Sequence, residues 1–101
     1  MSDPPRSGKE KYMRAIITVI GKDTRGIIAE VSGYLAKTDI NILNISQTIM
    51  QEYFTMVMLV DLAESKEEFG VVSEKLEKVG EKLSVTIKIQ HEDIFNSMHR
   101  V

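Results

Sequence analysis

Apolar residues run almost without interruption through Ala15-Ile16-Ile17-Thr18-Val19-Ile20 and again from Phe54 to Leu62. This is the pattern of strands buried on both faces in the interior of a sheet. Between them the period changes. From Gly26 to Thr38, the positions Ile27, Val31, Tyr34, Leu35 and Thr38 recur at helical spacing, with Asp23 or Thr24 placed to cap the helix. Gly33 at mid-helix costs about 1 kcal/mol against alanine, which predicts a close helix contact there. Asp39-Ile40-Asn41 ends the helix. Ile42 to Met50 then reads as a strand in which Asn44, Ser46 and Thr48 alternate with Leu43, Ile45, Gln47 and Ile49, giving one polar face. The connector at Gln51-Glu52-Tyr53 lacks the Asn-Gly or Asp-Gly chemistry of a tight hairpin.

Ser65 with Glu68 three residues on is a capping-box signature, and it opens a second helix through Phe69, Val72, Leu76, Val79 and Leu83. Ser84 to Gln90 closes the pattern as an edge strand, with Val85, Ile87 and Ile89 inward and Thr86, Lys88 and Gln90 outward. The order β-α-β-β-α-β, with its two most apolar strands first and third, predicts an α+β, ferredoxin-like four-stranded antiparallel sheet ordered 4-1-3-2, with both helices on one face. The other face, with side chains such as Met56 or Val57, then has no cover within the chain. That predicts a homodimer, paired sheet to sheet or edge to edge.

At 101 residues the chain holds one domain, able to bury about two-thirds of its unfolded surface. A formal net charge of -2 with no evident basic patch argues against nucleic acid as a partner. The absence of cysteine excludes disulfides and thiolate zinc sites and suits a cytoplasmic location. No apolar run reaches the length of a membrane span. Residues 1–12 hold both prolines and several charges and read as a disordered tail, residues 13–91 as the domain, and residues 92–101 as a C-terminal extension in which Ile94, Phe95 and Met98 fall at the spacing of a short helix.

Candidate chemistry concentrates in Gly21-Lys22-Asp23-Thr24-Arg25-Gly26-Ile27-Ile28-Ala29. A strand-to-helix junction of this kind presents helix N–H groups to an anion, and Gly26 lets a ligand approach the backbone. Gly21 and Gly26 fit the first half of a phosphate-binding Walker loop, but Ile27-Ile28 stands where Lys-Ser/Thr is required. A small carboxylate such as an amino acid fits better than a nucleotide; the plain alternative is a structural turn.

With these residues in place, the chain from Ala15 to about Gln90 resembles an ACT domain, a small regulatory module of βαββαβ fold. The resemblance rests on Asp23 with Gly26-Ile27-Ile28-Ala29, Leu35, and Asn41-Ile42. More narrowly, Ile17 to Asp23, Ile45 to Met50 and Phe54-Thr55-Met56 are similar to stand-alone prokaryotic ACT proteins of the UPF0237 type and to ACT units of the glycine cleavage system repressor. ACT domains pair and bind amino acids between the first loop and helix of one subunit and the second strand of its neighbour. The resemblance therefore implies a ligand site at Asp23, Thr24, Arg25, Gly26, Ile27, Ile28, Asn41 and Ile42. Helix N–H groups near Gly26 would hold the carboxylate, while Asp23 or the Asn41 side chain would accept from the ammonium. Arg25 departs from the proline that many ACT loops carry before the glycine; it either contacts the carboxylate or faces solvent. For Asn41 the plain alternative is support of a left-handed turn between helix and strand.

Catalysis finds little support in the sequence. His91 and His99 lie after the last strand, at a spacing unlike that of a helical metal pair, so neither a metal site, a cofactor nor an enzymatic activity is expected. Acylphosphatases share the predicted fold and use an arginine and an asparagine, but Arg25, Asn41 and Asn44 carry no further likeness to them. RNA-recognition modules stack bases on the central strands, where this chain offers only Phe54. The expected function is a non-catalytic regulator that binds an amino acid at a dimer interface. The alternative is a regulator that docks on a partner protein without a ligand, its adaptable surface supplied by Met50, Met56 and Met58.

Overall fold

The computed structural model describes residues 13–22 and 26–92. The expected tail over 1–12, the loop residues Asp23, Thr24 and Arg25, and the extension from 93 onward, with Ile94, Phe95, Met98 and His99, lie outside the described residues.

The elements follow the predicted order: β1 (Arg14–Gly21), α1 (Ile27–Lys37), β2 (Asn41–Met50), β3 (Tyr53–Asp61), α2 (Phe69–Leu83) and β4 (Thr86–His91). The sheet runs β2-β3-β1-β4 with every neighbouring pair antiparallel, so the two most apolar strands are central. The register sorts side chains by face. Ala15, Ile17 and Val19 stand beside Val60, Met58 and Met56 on one side and, for Val19 and Ile17, beside Ile87 and Ile89 on the other. These residues are buried beneath Ile27, Val31 and Leu35 of α1 and Val72 and Leu76 of α2. Helical period and strand period thus meet in one core, whose burial supplies most of the folding drive.

Met56 and Met58 are therefore core residues, 1% and 0% exposed, rather than part of an open methionine surface. The face away from the helices carries Thr18, Val57 and Leu59, all half-buried, with Ile20 exposed at its margin. β3 alternates strictly, so a one-residue error in assigning its faces exchanges the core set for the open set.

β2 occupies an edge. A bulge between Ile42 and Asn44 leaves Leu43 unpaired and re-aims the rest of the strand. Ile42 and, beyond the bulge, Ile45 and Ile49 point to the helix side, while Asn44, Ser46 and Thr48 face the open side. The helices do not reach over the far part of β2, and Ile49 and Met50 are 70% and 67% exposed.

Four local expectations need correction. The cap of α1 is Gly26 itself, in the left-handed region at φ 78°, with no side-chain capping bond. Ser65 does not cap α2; its hydroxyl accepts from the Glu67 amide at 3.1 Å and donates to the Glu67 carbonyl at 2.7 Å, and the helix begins after Glu68. A serine two residues ahead of an amide satisfies it locally, in competition with the capping box. Gly33 has nothing within 4 Å of where a Cβ would stand; the close contact belongs to Gly80, where a Cβ would lie 2.7 Å from the Val85 carbonyl oxygen. The β2–β3 connection is a tight hairpin after all, with Met50 paired to Tyr53 and Gln51 in the left-handed region at φ 57°.

Candidate functional site

The register places the two halves of the expected site at opposite ends of the sheet. Gly21 pairs with Phe54, which pairs with Ile49, and Lys22 reaches Glu52 at 3.7 Å, so β1 ends beside the β2–β3 hairpin. Gly26 and the start of α1 follow from that end. Asn41 pairs with Asp61, which pairs with Arg14, at the other end. Eleven residues of α1 separate the two halves, about 16 Å at 1.5 Å per residue. Within one chain they do not meet.

At the first half, Gly26 is exposed, and a Cβ added to it meets nothing within 4 Å. Its positive φ, rather than crowding, is what calls for glycine. Its carbonyl accepts from the Glu30 amide at 2.9 Å, the first turn of the helix. The N–H groups of Ile27, Ile28 and Ala29 precede that bond, at the positive end of the helix dipole. The Ile27 side chain is fully buried in the core, so only its backbone is available there; Ile28 is 40% exposed.

At the second half, α1 ends in a compact left-handed turn. The amides of Thr38, Asp39 and Ile40 donate to the carbonyls of Tyr34, Ala36 and Leu35 at 3.1, 3.2 and 2.9 Å. The left-handed residue is Asp39, φ 63°, where glycine is usual. Asn41 directly follows the turn whose left-handed position is Asp39; it is the first residue of β2 and is not itself left-handed. Its side chain is exposed, whereas that of Ile42 packs against the core. Asn41 lines an open cleft of about 600 Å³ with Ala36, Asp39, Ile40 and Glu64. Asp39 and Glu64 were not among the expected site residues. Asp39 is legible in retrospect, as the non-glycine residue that stops a helix just before Asn41; Glu64, brought in from the segment after β3, carries no local signal.

Next to this cleft, across the Lys66–Asp39 ion pair at 3.6 Å, Tyr34 donates to Glu67 at 2.7 Å and Lys75 donates to the same carboxylate at 2.6 Å. The Lys75 and Tyr34 hydrogen bonds, with the charges of Lys75 and Lys37, hold the Glu67 carboxyl below its usual range. Burial first, then the Glu67 partner, pushes the Tyr34 phenol up to about 12.

His91 stacks on Phe69, ring centroids 4.0 Å apart and 17° from parallel, and serves packing at the end of β4. Among the described residues no group of three His, Cys, Asp or Glu stands ready to hold a metal ion, and no helix is long and apolar enough to cross a membrane.

With this geometry in view, the chain compares closely with known proteins. It is 65% identical over 89 residues to a UPF0237 protein of Clostridium acetobutylicum, covering 88% of this chain and 100% of that one. It is 50% identical over 88 residues to a UPF0237 protein of Methanocaldococcus jannaschii, covering 87% and 98%. Among solved structures, an ACT domain protein from Streptococcus pneumoniae superposes with a TM-score of 0.73 at 47% identity, covering 82% of this chain and 93% of that one. The fold also matches a putative glycine cleavage system transcriptional repressor, with a TM-score of 0.66 at 23% identity, covering 76% and 44%. Residues 13–90, which hold both half-sites and every strand pairing but the last position of β4, match the ACT domain family, and the chain belongs to that family.

Proposed function

We propose that two copies of the chain pair and bind an amino acid, or a similar small carboxylate, between them as a regulatory signal, without catalysing a reaction. ACT domains are regulatory, ligand-binding modules, and residues 13–90 of this chain match that family. The observation that carries the reading is the separation of the two half-sites to opposite ends of an edge-strand sheet. A two-fold axis normal to β2 near its centre sets Asn41 of one copy beside Met50 of the other. That brings the Gly26 end of each copy to the Asn41 end of its partner, and one dimer then holds two equivalent sites.

In each site the first amides of α1, from Ile27 and Ile28, hold the carboxylate, and Gly26 leaves room for it. Asn41 of the other copy accepts from the ammonium, with Asp39 and Glu64 supplying negative charge at the same mouth. Asp23, Thr24 and Arg25 belong to the carboxylate half by sequence. Ile27 and Ile42 take part through backbone and packing. β2 supports the pairing: it is one of the two edges of the sheet, with Ile45 and Ile49 uncovered on the helix side. The alternative, docking on a partner protein without a ligand, keeps only one of the three methionines that motivated it, since Met56 and Met58 are buried while Met50 is exposed.

The test is thermal unfolding of the purified chain, without ligand and with each of the twenty amino acids in excess. A ligand at about 100 times its dissociation constant adds about 2.7 kcal/mol, and each kcal/mol moves Tm by roughly 4 to 8 °C in a domain of this size. A selective shift supports the reading. A flat response across the panel from a protein that is dimeric by light scattering would replace it with the docking alternative.

A further inference from the structure

Lysines from separate elements converge on one side of the molecule. Lys37 in the last turn of α1, Lys66 in the segment before α2 and Lys75 within α2 line a cleft of about 210 Å³ together with Tyr34, Thr38 and Glu67. Ammonium groups repel one another, so such a convergence needs a negative partner. The chain supplies two. Glu67 is held by Lys75 and Tyr34, and Lys66 leans out to Asp39. Lys37 has no ion-pair partner among the described residues. Three positive charges thus face two negative ones in a protein whose formal net charge is -2.

The frame around these groups is fixed. Thr38 is buried, and its carbonyl accepts from the Lys66 amide at 2.9 Å, tying the end of α1 to the segment before α2. The ammonium ends remain open to solvent, the Lys66 and Lys75 side chains being 67% and 51% exposed. The Tyr34 hydroxyl stays protonated at any physiological pH and is a permanent donor.

We propose that this cleft binds a small polyvalent oxyanion of the phosphate type, held by Lys37, Lys66 and Lys75, with the Glu67 carboxylate as the internal anion that competes for the same donors. The size of the cleft suits a phosphate group, either free or carried on a small ester. The cleft adjoins the proposed amino-acid site across the Lys66–Asp39 ion pair, but its own lining is distinct from that of the Asn41 cleft.

The experiment is a titration of the isotopically labelled full chain by amide NMR with inorganic phosphate and, in a second arm, with glycerol 3-phosphate, against chloride at equal ionic strength. The expected result is a saturable response confined to residues around 34–38, 66–67 and 75, with a dissociation constant of about 1 mM or tighter in at least one arm. Whichever arm binds more tightly identifies the source. Glu67→Gln should tighten binding about twofold to fivefold, the range of one exposed ion pair, and the double change Lys37→Gln with Lys66→Gln should abolish it. Well-dispersed spectra of the free variants show that they remain folded. A non-saturating response, one shared equally with Lys22, Lys82 and Lys88, or weaker binding by Glu67→Gln would overturn the proposal.

Discussion

Two glycines, both in helices, should respond to alanine in opposite directions. Gly33 lies in α1 on an exposed position, with nothing within 4 Å of where a Cβ would stand. Alanine there meets no neighbour and restricts the unfolded chain, so Gly33→Ala should gain up to about 1 kcal/mol, or roughly 4 to 8 °C in Tm. Gly80 lies in the last turn of α2 and is buried. Its carbonyl accepts from the Val85 amide at 2.8 Å, and a Cβ on it would stand 2.7 Å from the Val85 carbonyl oxygen and 3.3 Å from Ile87 Cγ1. The nearest atom is backbone, held by the turn and by the pairing of β4, so it cannot swing aside as a side-chain tip does. Overpacking of this kind costs about 1–3 kcal/mol, which offsets or exceeds the same gain in propensity and leaves a net loss of up to about 2 kcal/mol. Denaturant unfolding of both variants, with m unchanged, is the assay. A Gly80→Ala protein as stable as Gly33→Ala would refute the close approach of the α2 end to β4.

Gly26→Ala should lower stability by about 1–2 kcal/mol through its positive φ alone, since the space around it is empty; a neutral result in chemical denaturation would argue against the left-handed cap. Ile49→Lys, at a 70% exposed position on the free edge, should change monomer stability by no more than about 0.5 kcal/mol yet weaken dimerisation, read by sedimentation as a shift toward monomer. Ultraviolet titration of the three tyrosines should show one phenol ionising near pH 12, and Tyr34→Phe should remove it. Because the folded pKa of Tyr34 lies above its ordinary value of 10.0, its contribution to stability is intact below pH 10 and is lost as the pH rises toward 12.

The fold was legible because hydrophobic period and strand polarity pointed to the same answer. β1 and β3 read as central from their unbroken apolar runs, and the stripe from Phe69 to Leu83 read as the core face of α2. What escaped the sequence depended on atoms brought close from elsewhere in the chain. Gly33 and Gly80 look alike locally, and only the return of Val85 distinguishes them. Met56 and Val57 differ by one position in an apolar run, so their faces are set by pairing with Val19 and Thr18 rather than by their own chemistry. The bulge at Leu43 leaves no mark in a strand already rich in apolar residues.

The candidate site was legible only in part. Gly26 and Asn41 stood out as residues, but not the fact that each chain holds them at opposite ends of its sheet. Asp39 and Glu64 join Asn41 through a turn and a distant segment. The lysine cleft draws on three elements and has no sequence signature.

The central claim is that each ligand site is completed by two chains, and complementation tests it most directly. Gly26→Val and Asn41→Ala proteins, each shown to be folded, are titrated calorimetrically with the amino acid that shifts the wild-type Tm, first alone and then after being mixed and re-equilibrated. Neither should bind alone. Mixed dimers combine an intact Gly26 end from one chain with an intact Asn41 end from the other, so the mixture should regain wild-type affinity at one of the two sites of each mixed dimer. A mixture as inert as its components, or a single variant that binds normally, would contradict the account.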